Sequence, residues 1–176
     1  MRAQAAAAAA LGLLLSGCGY ALVGKGTVID PTIKRIGVPL FRDASGKPGL
    51  DQKVTQKVVE ELLKRGRFDV VPDTTGVDAL LEGEILNYTP RLAGVGSADE
   101  AGRSQANRYE IVLTARVRFA KVGVREAIWA NDSFTFRDEY DVGDNPQAFI
   151  DQENQAIERL AVSFARSLVA TMLEAF

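Results

Sequence analysis

The segment from Tyr109 to Phe119 has the two-residue periodicity of a β-strand that buries one of its faces. Its apolar face consists of Tyr109, Ile111, Leu113, Ala115, Val117 and Phe119. The opposite face carries Glu110, Thr114, Arg116 and Arg118, and Val112 is the exception to the pattern. Because a strand cannot bury its own apolar face, other elements of the chain must form a second layer that covers it.

Four further strands are predicted around this one. After a turn at Gly123, residues Ile128 to Phe136 form a hairpin partner, with Ile128, Ala130, Phe134 and Phe136 on the apolar face and Trp129, Asn131, Ser133 and Thr135 on the other. The other strands are Ile33–Leu40, Phe68–Val71 and Leu80–Leu92. The last of these is expected to break or bulge near Gly83 and Pro90.

Two segments have the 3.6-residue periodicity of amphipathic helices. The first runs from Leu50 to Arg65 before Gly66, and the second runs from Pro146, after the capping residue Asn145, to about Leu173. The element order is β-α-β-β-β-β-α. It predicts an α+β two-layer sandwich in which both helices pack on one face of a mixed, mostly antiparallel sheet of four to five strands.

The N-terminus has the layout of a secretory leader. Arg2 precedes an apolar run from Ala5 to Leu15, which is shorter than the roughly 20 residues that span a bilayer. The sequence Leu15-Ser16-Gly17-Cys18 resembles the bacterial lipobox, which implies cleavage between Gly17 and Cys18 and lipid attachment to the Cys18 thiol. The alternative is a free or buried thiol behind a simple secretory peptide. We therefore expect a signal peptide at 1–17, a lipidated extended tether at 18–32 and one domain at 33–176.

Composition excludes several classes of function. Without the leader, the chain has 20 Lys and Arg against 23 Asp and Glu, a formal charge of −3, whereas nucleic-acid-binding domains are usually basic. The chain contains no histidine, so the commonest general base and metal ligand are missing. The acidic residues Asp132, Asp138, Glu139, Asp141 and Asp144 lack the spacing of a calcium loop. We expect no catalytic residue, metal or cofactor.

Two stretches of the chain resemble the LptE family of lipopolysaccharide-assembly lipoproteins. They are Cys18-Gly19-Tyr20, and the block from Ile36-Gly37-Val38-Pro39-Leu40-Phe41 through Gly46–Leu50 to Glu61–Phe68. The resemblance implies a non-enzymatic protein that is lipid-anchored to the periplasmic face of the outer membrane. It also implies docking, as a plug and assembly partner, in the large β-barrel (LptD-type) that delivers lipopolysaccharide to the cell surface, with direct lipopolysaccharide binding as a further property.

The polar face of the predicted hairpin is the candidate contact surface. Arg116 and Arg118, with Lys121 and Arg125 beside the turn, would form a basic cluster suited to the phosphates of lipid A. The alternative is a solvated strand face. Trp129 is either an interface anchor or a residue packed at the sheet edge. The predicted loop 93–107 either contacts the barrel or is simply mobile.

Two other classes of function remain open. The pattern of strand, glycine-containing turn, helix and Gly66-Arg67-Phe68-Asp69-Val70-Val71 also resembles the small domains of the curli-secretion lipoprotein and of the Tol-system propeller protein. This resemblance implies an oligomeric envelope binding module. A carboxylate-based hydrolase is the third class, although no paired Asp/Glu site marks one.

Overall fold

The computed structural model describes residues 30–95, 106–141 and 146–174. These residues form six strands and two helices. The strands are β1 (Arg35–Gly37), β2 (Arg42–Asp43), β3 (Asp69–Val71), β4 (Ala79–Val95), β5 (Ala106–Lys121) and β6 (Trp129–Asp141), and the helices are α1 (Leu50–Lys64) and α2 (Pro146–Glu174). The α+β class and the order β-α-β-β-β-β-α are confirmed, with β2 as an additional short strand.

The strands form one mixed sheet in the order β3-β1-β4-β5-β6, and β2 pairs with β4 beyond the end of β1. The pairs β1–β3, β1–β4 and β2–β4 are parallel, whereas β4–β5 and β5–β6 are antiparallel. Strand β4 therefore joins a parallel half of the sheet, which α1 connects, to an antiparallel meander.

The predicted strand Ile33–Leu40 is divided because the chain leaves β4 at Pro39, which has no N–H to donate to a ladder. The backbone N–H of Phe41 instead donates to the Thr55 Oγ1 of α1, at 3.0 Å. The Phe41 ring is buried, directly over Gly83, where any Cβ would collide with it. The pairing of β2 with β4 then begins at Arg42.

The core lies between the sheet and the two helices, as the periodicities predicted. The predicted apolar face of β5 is buried from Ile111 to Phe119, and Tyr109 packs at its margin. Val112 is also buried, although it belongs to the other face. Helix α1 ends before Gly66, whose φ of +64° is left-handed and whose N–H donates to the Leu63 carbonyl at 3.0 Å. The buried helical positions include Val54, Val58, Leu62, Leu160, Phe164 and Leu168.

The pairing of β4 with β5 is interrupted at Leu86 and near Ala93. The predicted interruptions near Gly83 and Pro90 are not found. Gly83 keeps its place opposite Val117 and makes room for Phe41. Among the described strands, none pairs with the outer edge of β4 beyond Ile85, so Pro90 loses no hydrogen bond there. The strands also extend to Val95 and restart at Ala106, so they enter the predicted loop 93–107 from both sides, and residues 96–105 lie outside the described part.

A register shift between β5 and β6 exchanges the two faces of β6 before and after it, so Trp129 does not lie where the sequence predicted. Ala115 pairs with Phe134 and Val117 with Asn131, so two residues of β6 lie opposite one residue of β5. Trp129 pairs with Phe119 and meets the Phe134 ring edge-to-face at 5.9 Å, and both packed rings belong to the core side. Trp129 is therefore on the face covered by the helices, and its predicted place on the polar face is wrong.

Charged side chains connect α2 to the rest of the domain. Glu153 Oε1 accepts hydrogen bonds from Lys47 Nζ at 2.9 Å and from the Tyr88 hydroxyl at 2.7 Å. Burial and the Glu153 carboxylate raise the pKa of Tyr88 far above its usual value. Further along α2, Glu158 lies 2.7 Å from Lys57 of α1. These contacts fix the position of the long helix over the sheet.

Candidate docking surface

The strand face turned away from the helices, which we call the outer face, is polar and no described helix covers it. Most of its charges meet an opposite charge on the neighbouring strand, and Arg137, opposite Val112, is an exception. In the β4–β5 register Glu82 lies opposite Arg118, Glu84 opposite Arg116 and Arg91 opposite Glu110. Across β5 and β6, Arg108 binds Asp141 at 2.9 Å, and the Thr114 and Thr135 hydroxyls are 3.1 Å apart. Cross-strand pairs of this kind stabilise the sheet modestly.

Arg116 and Arg118 both lie on the outer face, as predicted, but neither is a free cation. The Arg116 guanidinium is 2.9 Å from Glu84 Oε2 and 3.4 Å from Asp132 Oδ1. Arg118 donates from Nη2 to the backbone carbonyl of Arg125 at 2.7 Å, and its Nη1 is 3.9 Å from Glu82. A phosphate would have to compete with these carboxylates, so the predicted basic cluster is a charge-balanced strip.

A shallow groove of about 410 Å³ opens on the outer face where the chain leaves β4. Its apolar wall is formed by Pro39 and by Leu40, which is 55% exposed. Its charged wall comprises Arg42, Glu82, Glu84, Arg116 and Arg118. Such a mixture of apolar and paired charged groups suits contact with another polar surface better than capture of a single anion.

Lys121 and Arg125 do not belong to the outer face. Lys121 Nζ donates to Asp30 Oδ2 at 2.8 Å and to Thr32 Oγ1 at 3.0 Å. The bond from Lys121, with those that the Thr32 hydroxyl and N–H donate to Asp30, holds the pKa of Asp30 well below its usual value. Arg125 is exposed in the turn between β5 and β6. The structure therefore separates the four predicted cations into two sets. Arg116 and Arg118 line the outer face, whereas the other two belong to the end of the sheet formed by residues 30–34 and 121–128, which we call the tether end.

The sequence analysis missed the acidic partners on β4. Glu82 and Glu84 alternate with Leu81, Gly83 and Ile85, so the two-residue periodicity already places them on the polar side of a strand. Their pairing with Arg116 and Arg118 depends on the β4–β5 register, which the sequence does not specify across the predicted loop.

The described residues hold no group of His, Cys, Asp and Glu side chains arranged to bind a metal ion. Asp132, Asp138 and Asp141 instead form ion pairs with Arg116, Arg159 and Arg108, and Asp144 lies outside the described part. Neither helix in the described ranges is long and apolar enough to cross a membrane. The predicted cleavage and lipidation residues, Gly17 and Cys18, also lie outside those ranges.

A sequence model of the LptE lipopolysaccharide-assembly family matches residues 33–172, which is most of the chain. No curated protein sequence matches it.

Solved structures share the fold at low sequence identity. An uncharacterized lipoprotein B from Nitrosomonas europaea has 13% identity and a TM-score of 0.54, and the match covers 82% of this chain and 84% of that one. The PelC dodecamer from Paraburkholderia phytofirmans has 13% identity and a TM-score of 0.51, with 81% and 90% covered. A hypothetical protein from Chlamydia trachomatis has 10% identity and a TM-score of 0.52, with 82% and 99% covered.

Proposed function

Because the chain belongs to the LptE lipopolysaccharide-assembly family, we propose that it is a lipid-anchored protein of the outer membrane that docks into the LptD-type β-barrel. In this role it is a plug and an assembly partner for the translocon that delivers lipopolysaccharide to the cell surface. The chain acts by binding and carries out no catalysis, in keeping with a family of assembly lipoproteins and a sequence without histidine.

The observation that carries the docking proposal is the uncovered outer face. Most of its charges are already paired, for example Arg116 with Glu84, whose side chains are 52% and 24% exposed. The lumen of a porin-type barrel is polar, so a plug needs a surface that remains stable in contact with polar groups and water. A strip of mostly paired charges meets this requirement, because the paired ions keep their partners on docking.

Lipopolysaccharide contact is the finer part of the proposal, and the groove beside Leu40 is its best site. Arg42 is the most accessible cation there, with 81% of its side chain exposed and Glu84 3.7 Å away. A phosphate could bind Arg42 and Arg116 while Glu84 shifts away. Charge-assisted hydrogen bonds of this type are shorter and stronger than neutral ones. We do not assign Trp129 to this contact, because it packs toward the core.

The anchor in this proposal is Cys18. Cleavage after Gly17 would make it the N-terminal residue, and acylation of its thiol would attach the protein to the periplasmic face of the outer membrane. One acyl chain holds a protein to a bilayer only marginally, whereas two or more hold it firmly.

Site-specific photocrosslinking tests the docking surface. A photoreactive amino acid at Thr135, exposed on the outer face, should crosslink to a large outer-membrane β-barrel protein in cells. The matched control is Ser163, exposed on α2 on the other side of the domain. Equal crosslinking at both positions, or a barrel adduct only at Ser163, would refute docking through the outer face.

An oligomeric envelope binding module, like the curli-secretion or Tol-system domains, is the second candidate, and the PelC dodecamer of the same fold favours it. The two proposals differ in the composition of the purified complex. A barrel partner with one copy of this chain, seen when the mature protein is extracted in detergent and weighed by light scattering, supports docking. A ring made only of this chain supports the alternative.

A further inference from the structure

Two exposed apolar side chains stand at the tip of the turn between β5 and β6. Val122 and Val124 are 48% and 49% exposed and are separated by Gly123, whose φ is +80°. The described part of the chain has four other exposed large apolar residues, Leu40, Leu63, Leu92 and Ile150, and each lies on a different segment. Isolated apolar residues are normal on a protein surface, but a pair at the tip of a turn forms a small apolar projection.

This projection is fixed beside the point where the tether joins the domain. Asp30, the first described residue, is bound to Lys121 at 2.8 Å, immediately before Val122. A shallow hollow next to it is lined by Asp30, Val124 and Ile128. Twelve residue steps separate Asp30 from Cys18, so a lipid on Cys18 lies at most about 40 Å away, and about 20 Å away if that chain is flexible. The tether end is thus the part of the domain held nearest the anchor.

Unpaired cations are concentrated at the same end. Among the described residues, five Lys or Arg side chains have no carboxylate at ion-pair distance. They are Lys34, Arg67, Arg125, Arg137 and Arg166. Lys34 and Arg125 lie at the tether end, and Arg67 lies beside it, because Arg67 lines a hollow there together with Asp30 and Lys34. Two carboxylates with no Lys or Arg of the described part at ion-pair distance lie beside these cations, Glu126 in the turn and Asp78, which accepts hydrogen bonds from the backbone N–H groups of Lys34 and Arg35. The three unpaired cations therefore exceed the two unpaired carboxylates by one charge.

We propose that the tether end rests on the anionic phospholipid leaflet that holds the acyl chains of Cys18, with Val122 and Val124 inserted among the headgroups. Lys34, Arg67 and Arg125 surround this point and face the lipid phosphates. Apolar tips and neighbouring cations are the two features by which proteins bind anionic membrane surfaces. The contact would orient the domain on the membrane and keep the outer face free for its partner. The inference depends on the lipid anchor of the proposed function.

Depth-dependent quenching tests the contact in the mature, acylated protein. Because Cys18 is the one cysteine of the chain and is consumed by the lipid, Val124→Cys supplies a single thiol for an environment-sensitive fluorophore. Leu92→Cys is the matched control, since Leu92 is 50% exposed and lies near the opposite end of β4. The proteins are bound to vesicles of phosphatidylethanolamine and phosphatidylglycerol that contain a nitroxide-labelled lipid.

We expect quenching of about twofold at position 124 and little at position 92, because an inserted tip lies within the headgroup layer. Replacing Lys34 and Arg67 with Gln in the Val124→Cys background should reduce the quenching, and so should omitting phosphatidylglycerol. Vesicle flotation separates the possible failures. Protein that floats without quenching at 124, or with equal quenching at 92, overturns the membrane contact alone, whereas protein that does not float overturns the lipid anchor as well.

Discussion

The guanidinium of Arg116 lies 2.9 Å from the carboxylate of Glu84, directly across the β4–β5 register. Arg118 lies opposite Glu82 in the same way. The outer face is therefore held together by its own charges, and its contribution to stability can be separated from its contribution to binding.

Exchanging the charges tests this separation. Arg116→Glu with Arg118→Glu puts like charges opposite each other, so the free energy of unfolding should fall by about 0.2–1 kcal/mol per pair. Adding Glu82→Arg and Glu84→Arg should restore most of the lost stability, because opposite charges again face each other. We expect this fourfold variant still not to bind the barrel, because its charge pattern is reversed. Urea unfolding measures the first effect and co-purification the second. Full recovery of barrel binding in the fourfold variant would show that the charge pattern does not specify docking.

Loss of the proposed anchor should change location without changing the fold. Cys18→Ala removes the thiol that would carry the lipid, and Ile33 is the first buried core residue of the part of the chain that the structure describes. We expect the variant to leave the membrane fraction and to keep the melting temperature of the unmodified protein. Membrane fractionation in high salt is the measurement. A variant that stays in the membrane without a barrel partner would contradict the anchor.

The packing of Phe41 over Gly83 makes a sharp prediction about stability. Gly83→Ala places a methyl group against a buried ring, and overpacking of this kind typically costs about 1–3 kcal/mol. Phe41→Leu should itself destabilise the domain, but in its presence Gly83→Ala should cost much less. A double-mutant cycle by urea unfolding gives the coupling energy. Additive effects would mean that the two residues do not compete for the same space.

Alkaline pH should destabilise the domain through Tyr140, in addition to Tyr88, whose pKa is raised further. Burial raises the pKa of Tyr140 from 10.0 to about 12, and its hydroxyl has no hydrogen-bond partner in the described part of the chain. Between these two values the unfolded chain loses the proton first. The contribution of Tyr140 to the free energy of unfolding is therefore fully present below pH 10. It is lost as the pH rises toward 12, by up to about 1.4 kcal/mol per pH unit.

Tyr140→Phe should make this alkaline decline less steep and should cost little at pH 7, because it removes a hydroxyl without a described partner. Tyr88→Phe is the matched control. It removes the 2.7 Å hydrogen bond to Glu153 and should cost about 1 kcal/mol at pH 7. Thermal melts from pH 7 to pH 11 measure both. A larger loss at pH 7 for Tyr140→Phe than for Tyr88→Phe would refute this assignment.

The sequence predicted those features that depend on local periodicity. The alternation of β5 from Ile111 to Phe119 identified one wall of the core, and Gly66 marked the end of α1. Periodicity could not place Trp129, because the extra residue opposite Arg116 reverses the alternation within β6. Pro39 could have indicated that the first predicted strand is divided. The hydrogen bond from the Phe41 N–H to Thr55 could not be predicted, because it joins residues 14 positions apart.

The candidate site was less predictable than the fold because it depends on register. Arg116 and Arg118 were correctly assigned to the polar face, but their partners on β4 lie more than 30 residues away in the chain. By the two-residue alternation of β5, Lys121 belongs to the apolar face. Its partner Asp30 is 91 residues away in the sequence. Such long-range pairs arise from the way the strands assemble, and no short motif records them.

Strand β4 contains 17 residues, which at about 3.3 Å per residue make a ribbon roughly 55 Å long. The hydrocarbon interior of a bilayer is about 30 Å thick, and about 40–45 Å with its headgroups. A domain standing upright within a barrel, with Ala79 level with the periplasmic surface, would thus extend its β4–β5 ribbon to the outer leaflet. A single strand would then be long enough to connect the side of the membrane where a glycolipid arrives with the side where it is released.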